Sequence, residues 1–231
     1  MDSITYANEM REKRLAVNHA LMETGVLLED PATCYVDESV TIEAGTLILP
    51  NTTISGNTVI GAGCVIGPNT VVQNCNIGTN VKITCSFLDG ATLEENVTVG
   101  PFGYLRPGTH LKKGVKIGDF VEIKNATLGE GTKVSHLTYV GDADVGSFCN
   151  FGCGTVLVNY NGKEKFRSKI GDHAFIGCNT NLVSPVEVGS YGYTAAGSTI
   201  TCDVPEGALA IARAKQENKA GWVKRKGYLK K

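Results

Sequence analysis

Aliphatic residues recur at every sixth position through most of this chain. A helix repeats every 3.6 residues and a strand every two, so a period of six fits short strands that are each followed by a bend. The pattern therefore predicts a coil of short strands rather than long helices. The repeating positions are Ile42, Ile48, Ile54, Ile60, Ile66 and Val72, then Ile77 and Ile83, then Val99, Leu105, Leu111, Ile117 and Ile123, then Leu128, Val134 and Val140, and finally Ile170, Ile176, Leu182, Val188, Thr194 and Ile200.

Glycine supports this interpretation, because it often follows the aliphatic residue, as in Ile60-Gly61 and Ile117-Gly118. A residue without Cβ suits the places where a chain turns sharply. We therefore predict an all-β solenoid, a parallel β-helix of hexapeptide repeats. A solenoid exposes flat strand faces and open ends, so we also expect a homo-oligomer with capped ends.

The period slips from six to five at several places, and three of these share a signature. An Asn or Asp (Asn74, Asn125, Asp142) stands three residues before an aliphatic-Gly pair. Because Asn and Asp tolerate the left-handed backbone region, we expect these slips to be compressed corners of one continuous coil. A fourth slip, from Cys85 to Leu88, lacks the signature.

Three regions follow from where the repeat starts, breaks and stops. We expect an N-terminal helical segment at residues 1–34, with the helix from about Tyr6 to Glu23, and the β-helix at 35–205. Inside the β-helix, an insertion near 157–169 interrupts the repeat with polar, aromatic and cationic residues, and such insertions often carry function. Residues 206–231 form a basic C-terminal arm, because 213–231 hold eight Lys or Arg against the single acid Glu217.

Composition narrows the classes of function. The net charge is -1 and no basic stripe runs through the body, which argues against nucleic acid as a partner. No apolar run is long enough to span a membrane, and the polar N-terminus lacks the apolar core of a signal peptide. We therefore expect a cytoplasmic protein whose eight cysteines are reduced and mostly packed as small core residues.

Candidate chemistry is sparse before any comparison with known families. The four histidines have no spacing typical of a zinc site, so a zinc enzyme built on this fold is weakly supported. Cys153 could accept an acyl group, but no neighbouring base is visible, and packing at a corner explains it better. His136 in VSHLTYVGDADVG is the candidate general base, with a structural role as the alternative.

Four segments carry a resemblance to a known family: LRPGTHL, GDFVEIKNATLGEGTKVSHLTYVGDADVG, NFGCGTVLVNYNGKEKF and ALAIARAKQ. In this order they resemble the C-terminal acetyltransferase domain of bacterial bifunctional N-acetylglucosamine-1-phosphate uridyltransferase/glucosamine-1-phosphate N-acetyltransferase. The resemblance implies a left-handed β-helix and a homotrimer with active sites between subunits. It also implies transfer of an acetyl group from acetyl-CoA to the amine of glucosamine 1-phosphate, without a metal, in the synthesis of UDP-N-acetylglucosamine, peptidoglycan and lipopolysaccharide.

The resemblance also assigns residues to roles. His136 would be the general base that removes a proton from the sugar amine, so that the nitrogen attacks the thioester directly. Arg106 and Lys124 would bind the sugar phosphate, and Tyr139, Asn150 and Lys165 would hold the sugar. Residues that would bind acetyl-CoA are Cys153, Asn159, Tyr160, Cys178, Ala196 and Arg213.

The chain departs from the family pattern in two respects. Cys153 and Cys178 replace the usual Ala and Ser, which leaves the effect on cofactor affinity open. The uridyltransferase half is missing from this sequence, so we expect no uridyl transfer. Two alternatives stay open: an acyltransferase for another amino sugar phosphate or an amino acid, and a non-catalytic trimeric scaffold for a separate nucleotidyltransferase.

Overall fold

The computed structural model describes residues 2–228, and it is a solenoid of short parallel strands preceded by one helix. Helix α1 spans Ser3–Glu23, and a short helix α2 spans Trp222–Arg225. The strands are β1 Leu27–Leu28, β2 Tyr35–Val36, β3 Thr41–Ile42, β4 Leu47–Ile48, β5 Thr53–Ser55, β6 Val59–Ile60, β7 Val65–Ile66, β8 Val71–Gln73, β9 Asn76–Ile77, β10 Lys82–Ile83, β11 Phe87–Asp89, β12 Thr92–Leu93, β13 Thr98–Val99, β14 Tyr104–Leu105, β15 His110–Leu111, β16 Lys116–Asp119, β17 Glu122–Leu128, β18 Lys133–His136, β19 Tyr139–Val145, β20 Asn150–Phe151, β21 Val156–Val158, β22 Ser168–Ile170, β23 Phe175–Ile176, β24 Asn181–Val183, β25 Glu187–Val188, β26 Tyr193–Thr194, β27 Thr199–Ile200 and β28 Leu209–Ala210.

The strands form three faces, and every pairing between named strands is parallel. The first face holds β1, β4, β7, β10, β13, β16, β18, β20, β23, β26 and β28. The second face holds β2, β5, β8, β11, β14, β21, β24 and β27, and the third holds β3, β6, β9, β12, β15, β22 and β25. The first residues of β17 and β19 lie on the second face and their last residues on the third. The second and third join into one sheet because β17 and β19 continue through the corner between them. The predicted β-helix of hexapeptide repeats is therefore confirmed.

The six-residue period arises because the second residue of each strand points into the solenoid. Ile48, Ile66 and Ile83 stack in successive coils of the first face, and each is fully buried. A regular coil has eighteen residues, as from Ile48 to Ile66, and a coil with one compressed corner has seventeen, as from Ile66 to Ile83. Stacking these aliphatic side chains removes a continuous column of apolar surface from water, which is the main source of stability in such a fold.

The compressed corners have the backbone that the sequence predicted. Asn74, Asn125 and Asp142 have positive φ angles of 51°, 47° and 51°. The slip without the signature has the same geometry, because Cys85 itself lies at φ 43°. The structure thus explains this slip, although a cysteine gives no indication of such a corner in the sequence.

Both ends of the solenoid extend beyond the predicted range of 35–205. Strand β1 precedes it, since Leu28 occupies the same inward position as Ile48, and β28 follows it, pairing with β26. The helix begins at Ser3, earlier than expected, because the Asp2 carboxylate accepts hydrogen bonds from the backbone N–H groups of Ile4 and Thr5.

The insertion lies between Val158 and Ser168, where one coil lengthens so that Phe151 pairs with Ile176. Tyr160 and Lys165 form an antiparallel bridge across it. We name residues 159–167 the corner loop. From Arg213 to Tyr228 the C-terminal arm is exposed throughout.

All eight cysteines are free thiols, but only Cys34, Cys64, Cys75 and Cys149 are buried. The expectation that most of them belong to the core was therefore too broad. Desolvation raises the pKa of these four thiols. Within residues 2–228 no helix has the length and apolar character needed to cross a membrane.

Candidate active site

His136 stands in a column of residues that runs along the corner between the first and second faces. Asp119 pairs with His136 in register on neighbouring coils. Val134 pairs with Phe151, Phe151 with Ile176, and Ile176 with Thr194, so the same register continues upward, that is, towards the C-terminal coils. The column consists of the residues two positions after these paired strand residues. We name this set the His136 column; its members are Asp119, His136, Cys153, Cys178 and Ala196.

Asp119 orients the His136 imidazole. The Nδ1 atom of His136 lies 2.5 Å from Oδ1 of Asp119, and the two side chains are 57% and 36% exposed. The hydrogen bond with His136 lowers the pKa of Asp119, so this carboxylate is ionised at neutral pH and accepts from Nδ1–H. The lone pair of the imidazole is then on Nε2, which makes that atom available to accept a proton.

The part of the His136 column above the histidine carries short side chains. Cys153 is half-buried, whereas Cys178 and Ala196 are exposed. Arg213 approaches the end of this strip, where its side chain packs beside Gly197. A narrow strip with a cation at its far end fits an extended thioester carrier with phosphates.

Cationic side chains gather near the far edge of the second face. Arg106 donates a hydrogen bond to Glu122 at 2.7 Å, and this contact raises the pKa of Arg106. The Lys124 ammonium group lowers the pKa of Lys165, because two like charges oppose each other there. Among residues 2–228 Lys165 forms no ion pair with a carboxylate. An anion bound between the two lysines would relieve this repulsion, so the cluster suits a phosphate.

A buried carboxylate lies beside these cations. Asp142 is only 6% exposed, and its Oδ1 accepts a hydrogen bond from Asn125 Nδ2 at 2.6 Å. Its Oδ2 accepts from Asn159 Nδ2 at 2.5 Å and lies 3.6 Å from Lys124 Nζ. The Asn159 amide also donates to the Tyr139 hydroxyl at 3.3 Å. Lys124, Asn159 and Tyr139 therefore share one polar network.

The corner loop is anchored by Arg167, which reaches back across two coils. Its Nε and Nη2 atoms donate to the Asp144 carboxylate at 2.7 and 2.5 Å. Its Nη1 and Nη2 atoms donate to the backbone carbonyls of Asn125 at 2.8 Å and Ala143 at 3.0 Å. These contacts fix the chain two residues after Lys165.

One chain brings some of the sequence-predicted site residues together and separates others. The phosphate and sugar candidates Arg106, Lys124, Tyr139 and Lys165 share the second face and its edge, whereas Asn150 points outward from the first face. The cofactor candidates divide into two groups at opposite corners of the second face. Asn159 and Tyr160 lie in the corner loop, and Cys153, Cys178, Ala196 and Arg213 lie on or beside the His136 column.

Asp119, Asp144 and Arg167 are not among the site residues that the sequence predicts, and Asp142 is predicted only as a compressed corner. The coil repeat could have found Asp119, because it precedes His136 by one seventeen-residue coil. Among residues 2–228, no cluster of three or more His, Cys, Asp or Glu side chains is arranged to hold a metal ion.

Known proteins resemble this chain in sequence and in fold. A family model described as "Bacterial transferase hexapeptide (six repeats)" matches residues 39–74. A "Bifunctional protein GlmU" of Clostridium beijerinckii is 56% identical over 224 residues, which are 97% of this chain and 49% of that protein. A second GlmU, of Clostridium perfringens, is 58% identical over 213 residues, 92% of this chain and 47% of its own length.

Among solved structures, the UDP-N-acetylglucosamine acyltransferase of Arabidopsis has a TM-score of 0.58 at 14% identity, covering 85% of this chain and 76% of that one, and this likeness shows the fold alone. The chain spans about half the length of the GlmU relatives it matches. It is a left-handed β-helix of hexapeptide repeats, homologous to about half of the bifunctional GlmU proteins, as the resemblance to their C-terminal acetyltransferase domain implies.

Proposed function

We propose that this chain transfers the acetyl group of acetyl-CoA to the amine of glucosamine 1-phosphate, giving N-acetylglucosamine 1-phosphate and free coenzyme A. The observation that carries the proposal is the Asp119–His136 pair, which lies at one end of a strip of small side chains and on the same coils as a cationic cluster. The homology to GlmU proteins supports the choice of reaction class.

In the proposed step the sugar amine attacks the thioester carbonyl carbon while His136 Nε2 takes a proton from the nitrogen. An N–C bond forms, the C–S bond breaks, and the proton passes to the departing sulfur. Ionised Asp119 stabilises the imidazolium that forms between these events. General base catalysis of this kind contributes about 10² to 10⁴ in rate, and holding the two substrates together contributes more.

The substrate phosphate would bind between Lys124 and Lys165, with Arg106 beside them, while Tyr139 and Asn150 would contact the sugar. Arg106 is suited to this role because its planar guanidinium can bind two phosphate oxygens at once. Acetyl-CoA would extend along Cys153, Cys178 and Ala196 towards Arg213, with the thioester next to His136. We place this activity in the cytoplasm, where acetyl-CoA is supplied.

We further propose a homotrimer with the active sites between subunits. Within one chain, Asn159 and Tyr160 are a full strand face away from the His136 column, so a neighbouring subunit is the simplest way to unite the two cofactor groups. The corner next to His136 also exposes an apolar row, in which Phe102, Phe120 and Leu137 are each 57% exposed. Covering this row by association would remove apolar surface from water.

A thiol-release assay with acetyl-CoA and a panel of acceptors tests the substrate and the reaction together. The panel comprises glucosamine 1-phosphate, glucosamine 6-phosphate, unphosphorylated glucosamine and an amino acid. We expect glucosamine 1-phosphate to have the highest kcat/KM, and light scattering to give a trimer. A preference for an unphosphorylated acceptor would contradict the roles of Lys124 and Lys165, and a trimer with no turnover on any acceptor would favour the scaffold alternative.

A further inference from the structure

The Asp142 carboxylate is the most enclosed charged group near the candidate site, and its contacts extend in two directions. On one side it faces Lys124 Nζ at 3.6 Å. On the other it accepts a hydrogen bond from Asn159, whose amide also donates to the Tyr139 hydroxyl. Asp142 therefore connects a candidate ligand of the phosphate with a residue of the corner loop.

The corner itself does not require a carboxylate. Asn74 and Asn125 adopt the same left-handed backbone at equivalent corners with an uncharged side chain. Burying an ionised carboxylate is unfavourable unless its oxygens are paired. Here the amides of Asn125 and Asn159 pair both oxygens, and Lys124 supplies the opposite charge.

The charge at position 142 affects the Lys124 side chain most directly. Lys124 and Lys165 repel each other, and Asp142 is the carboxylate that faces Lys124. Lys124 is also largely covered, with a side-chain exposure of 19%. An ionised partner next to Lys124 keeps its ammonium group charged and directed towards the anion site, while Lys165 approaches from the corner loop.

We propose that Asp142 is a positioning residue for the proposed acetyl transfer, holding Lys124 for the sugar phosphate and Asn159 for acetyl-CoA through one buried carboxylate. The role rests on the proposed function. It goes further by making the two substrate sites depend on the same side chain, so a change at Asp142 weakens binding of both substrates.

The Asp142→Asn variant tests this role with little change in shape. An Asn side chain keeps one acceptor oxygen but presents an NH2 group to one of the two amides that now donate to it, and Lys124 loses its counter-charge. Loss of one hydrogen bond to a charged group corresponds to about a tenfold effect or more. We expect KM to rise about tenfold for glucosamine 1-phosphate and for acetyl-CoA, with a smaller change in kcat.

Two further variants separate positioning from stability. Asp142→Gly keeps the left-handed corner and removes the carboxylate, and it should raise both KM values as well. Asn74→Gly changes an equivalent corner in an earlier coil and should leave both KM values within twofold of the wild type. If both Asp142 variants retain wild-type KM values, or change the KM of one substrate only, the shared role is wrong.

A double-mutant cycle identifies the route through Lys124. If Asp142 acts on the sugar phosphate through Lys124, the Lys124→Met and Asp142→Asn effects on the KM of glucosamine 1-phosphate are strongly non-additive, whereas additive effects contradict this route.

The wild-type protein alone decides the proposed function, by whether it acetylates glucosamine 1-phosphate. Should it show no turnover, calorimetry with inorganic phosphate and with coenzyme A still tests Asp142. Weaker binding of both probes by Asp142→Asn supports the role, and equal binding by the variant and the wild type overturns it.

Discussion

Removing the Arg167 anchor should loosen the corner loop and weaken binding of the sugar phosphate. Arg167 holds the loop by an ion pair with Asp144 and by hydrogen bonds to two backbone carbonyls. The side chains of Arg167 and Asp144 are 41% and 51% exposed, so solvent screens the pair. We therefore expect the Arg167→Ala variant to hold Lys165 less firmly in the corner loop.

The free energy by which Arg167 anchors the corner loop follows from these contacts. An exposed ion pair contributes about 0.2 to 1 kcal/mol, and two net hydrogen bonds contribute about 2 kcal/mol. Fixing the arginine side chain costs about 1.5 to 2 kcal/mol. The net stabilisation of the anchored loop is therefore about 1 kcal/mol, which corresponds to roughly a fivefold change in the equilibrium constant between the anchored and the open loop.

Two measurements check this prediction. Steady-state kinetics should show a KM for glucosamine 1-phosphate about five times that of the wild type, with kcat nearly unchanged. A protease specific for glutamate should cut faster after Glu164, because the loop opens more often. Arg167→Lys should recover part of the loss, since a lysine keeps the charge but not the planar fork.

The control is Arg11→Ala, which removes an exposed arginine from helix α1 and should change neither quantity. An unchanged KM together with unchanged cleavage after Glu164 in Arg167→Ala would refute the role of the anchor.

Two further predictions concern charge. Asp119→Asn should lower kcat at least tenfold while leaving both KM values and the oligomer intact, because an amide can hold the imidazole in the wrong tautomer; equal kcat values for variant and wild type would contradict this. On acidification, the stability should fall below about pH 4. The hydrogen bond with Arg167 lowers the pKa of Asp144. Burial alone raises the pKa of Asp142, but the hydrogen bonds from Asn125 and Asn159 and the charge of Lys124 lower it by more, so the pKa of Asp142 is also below its usual value. A carboxyl group whose pKa is lower in the folded than in the unfolded chain stabilises the fold at pH values above its unfolded-state pKa. This contribution is lost as the pH falls through the folded-state pKa. Urea unfolding at pH 7, 5 and 3 measures this, and equal midpoints at all three values would contradict it.

The local geometry of the solenoid could be predicted from the sequence because its cause is local. An inward aliphatic residue at every sixth position and an Asn or Asp at a compressed corner, as at Asn74, are both visible in a few residues. Cys85 shows the limit, because a cysteine in the left-handed region has no such signature. There the stacking of neighbouring coils determines the backbone conformation.

The contacts of the candidate site could not be predicted in the same way, since they join residues of different coils. Arg167 reaches Asn125 across 42 positions and Asp144 across 23. The corner loop also changes the spacing, so that Cys153 lies one coil below Cys178 although 25 residues separate them in the sequence. Knowing which residues meet therefore required the length of each coil.

Thiol release by His136→Ala decides whether His136 is the general base. We expect kcat for acetylation of glucosamine 1-phosphate to fall by about 10² to 10⁴, while the oligomer and the binding of coenzyme A stay as in the wild type. His110→Ala is the matched control, because His110 also faces a carboxylate, Glu94 at 2.9 Å, but on the third face. Near wild-type turnover by His136→Ala, or an equal loss in His110→Ala, would contradict the assignment of His136 as the general base.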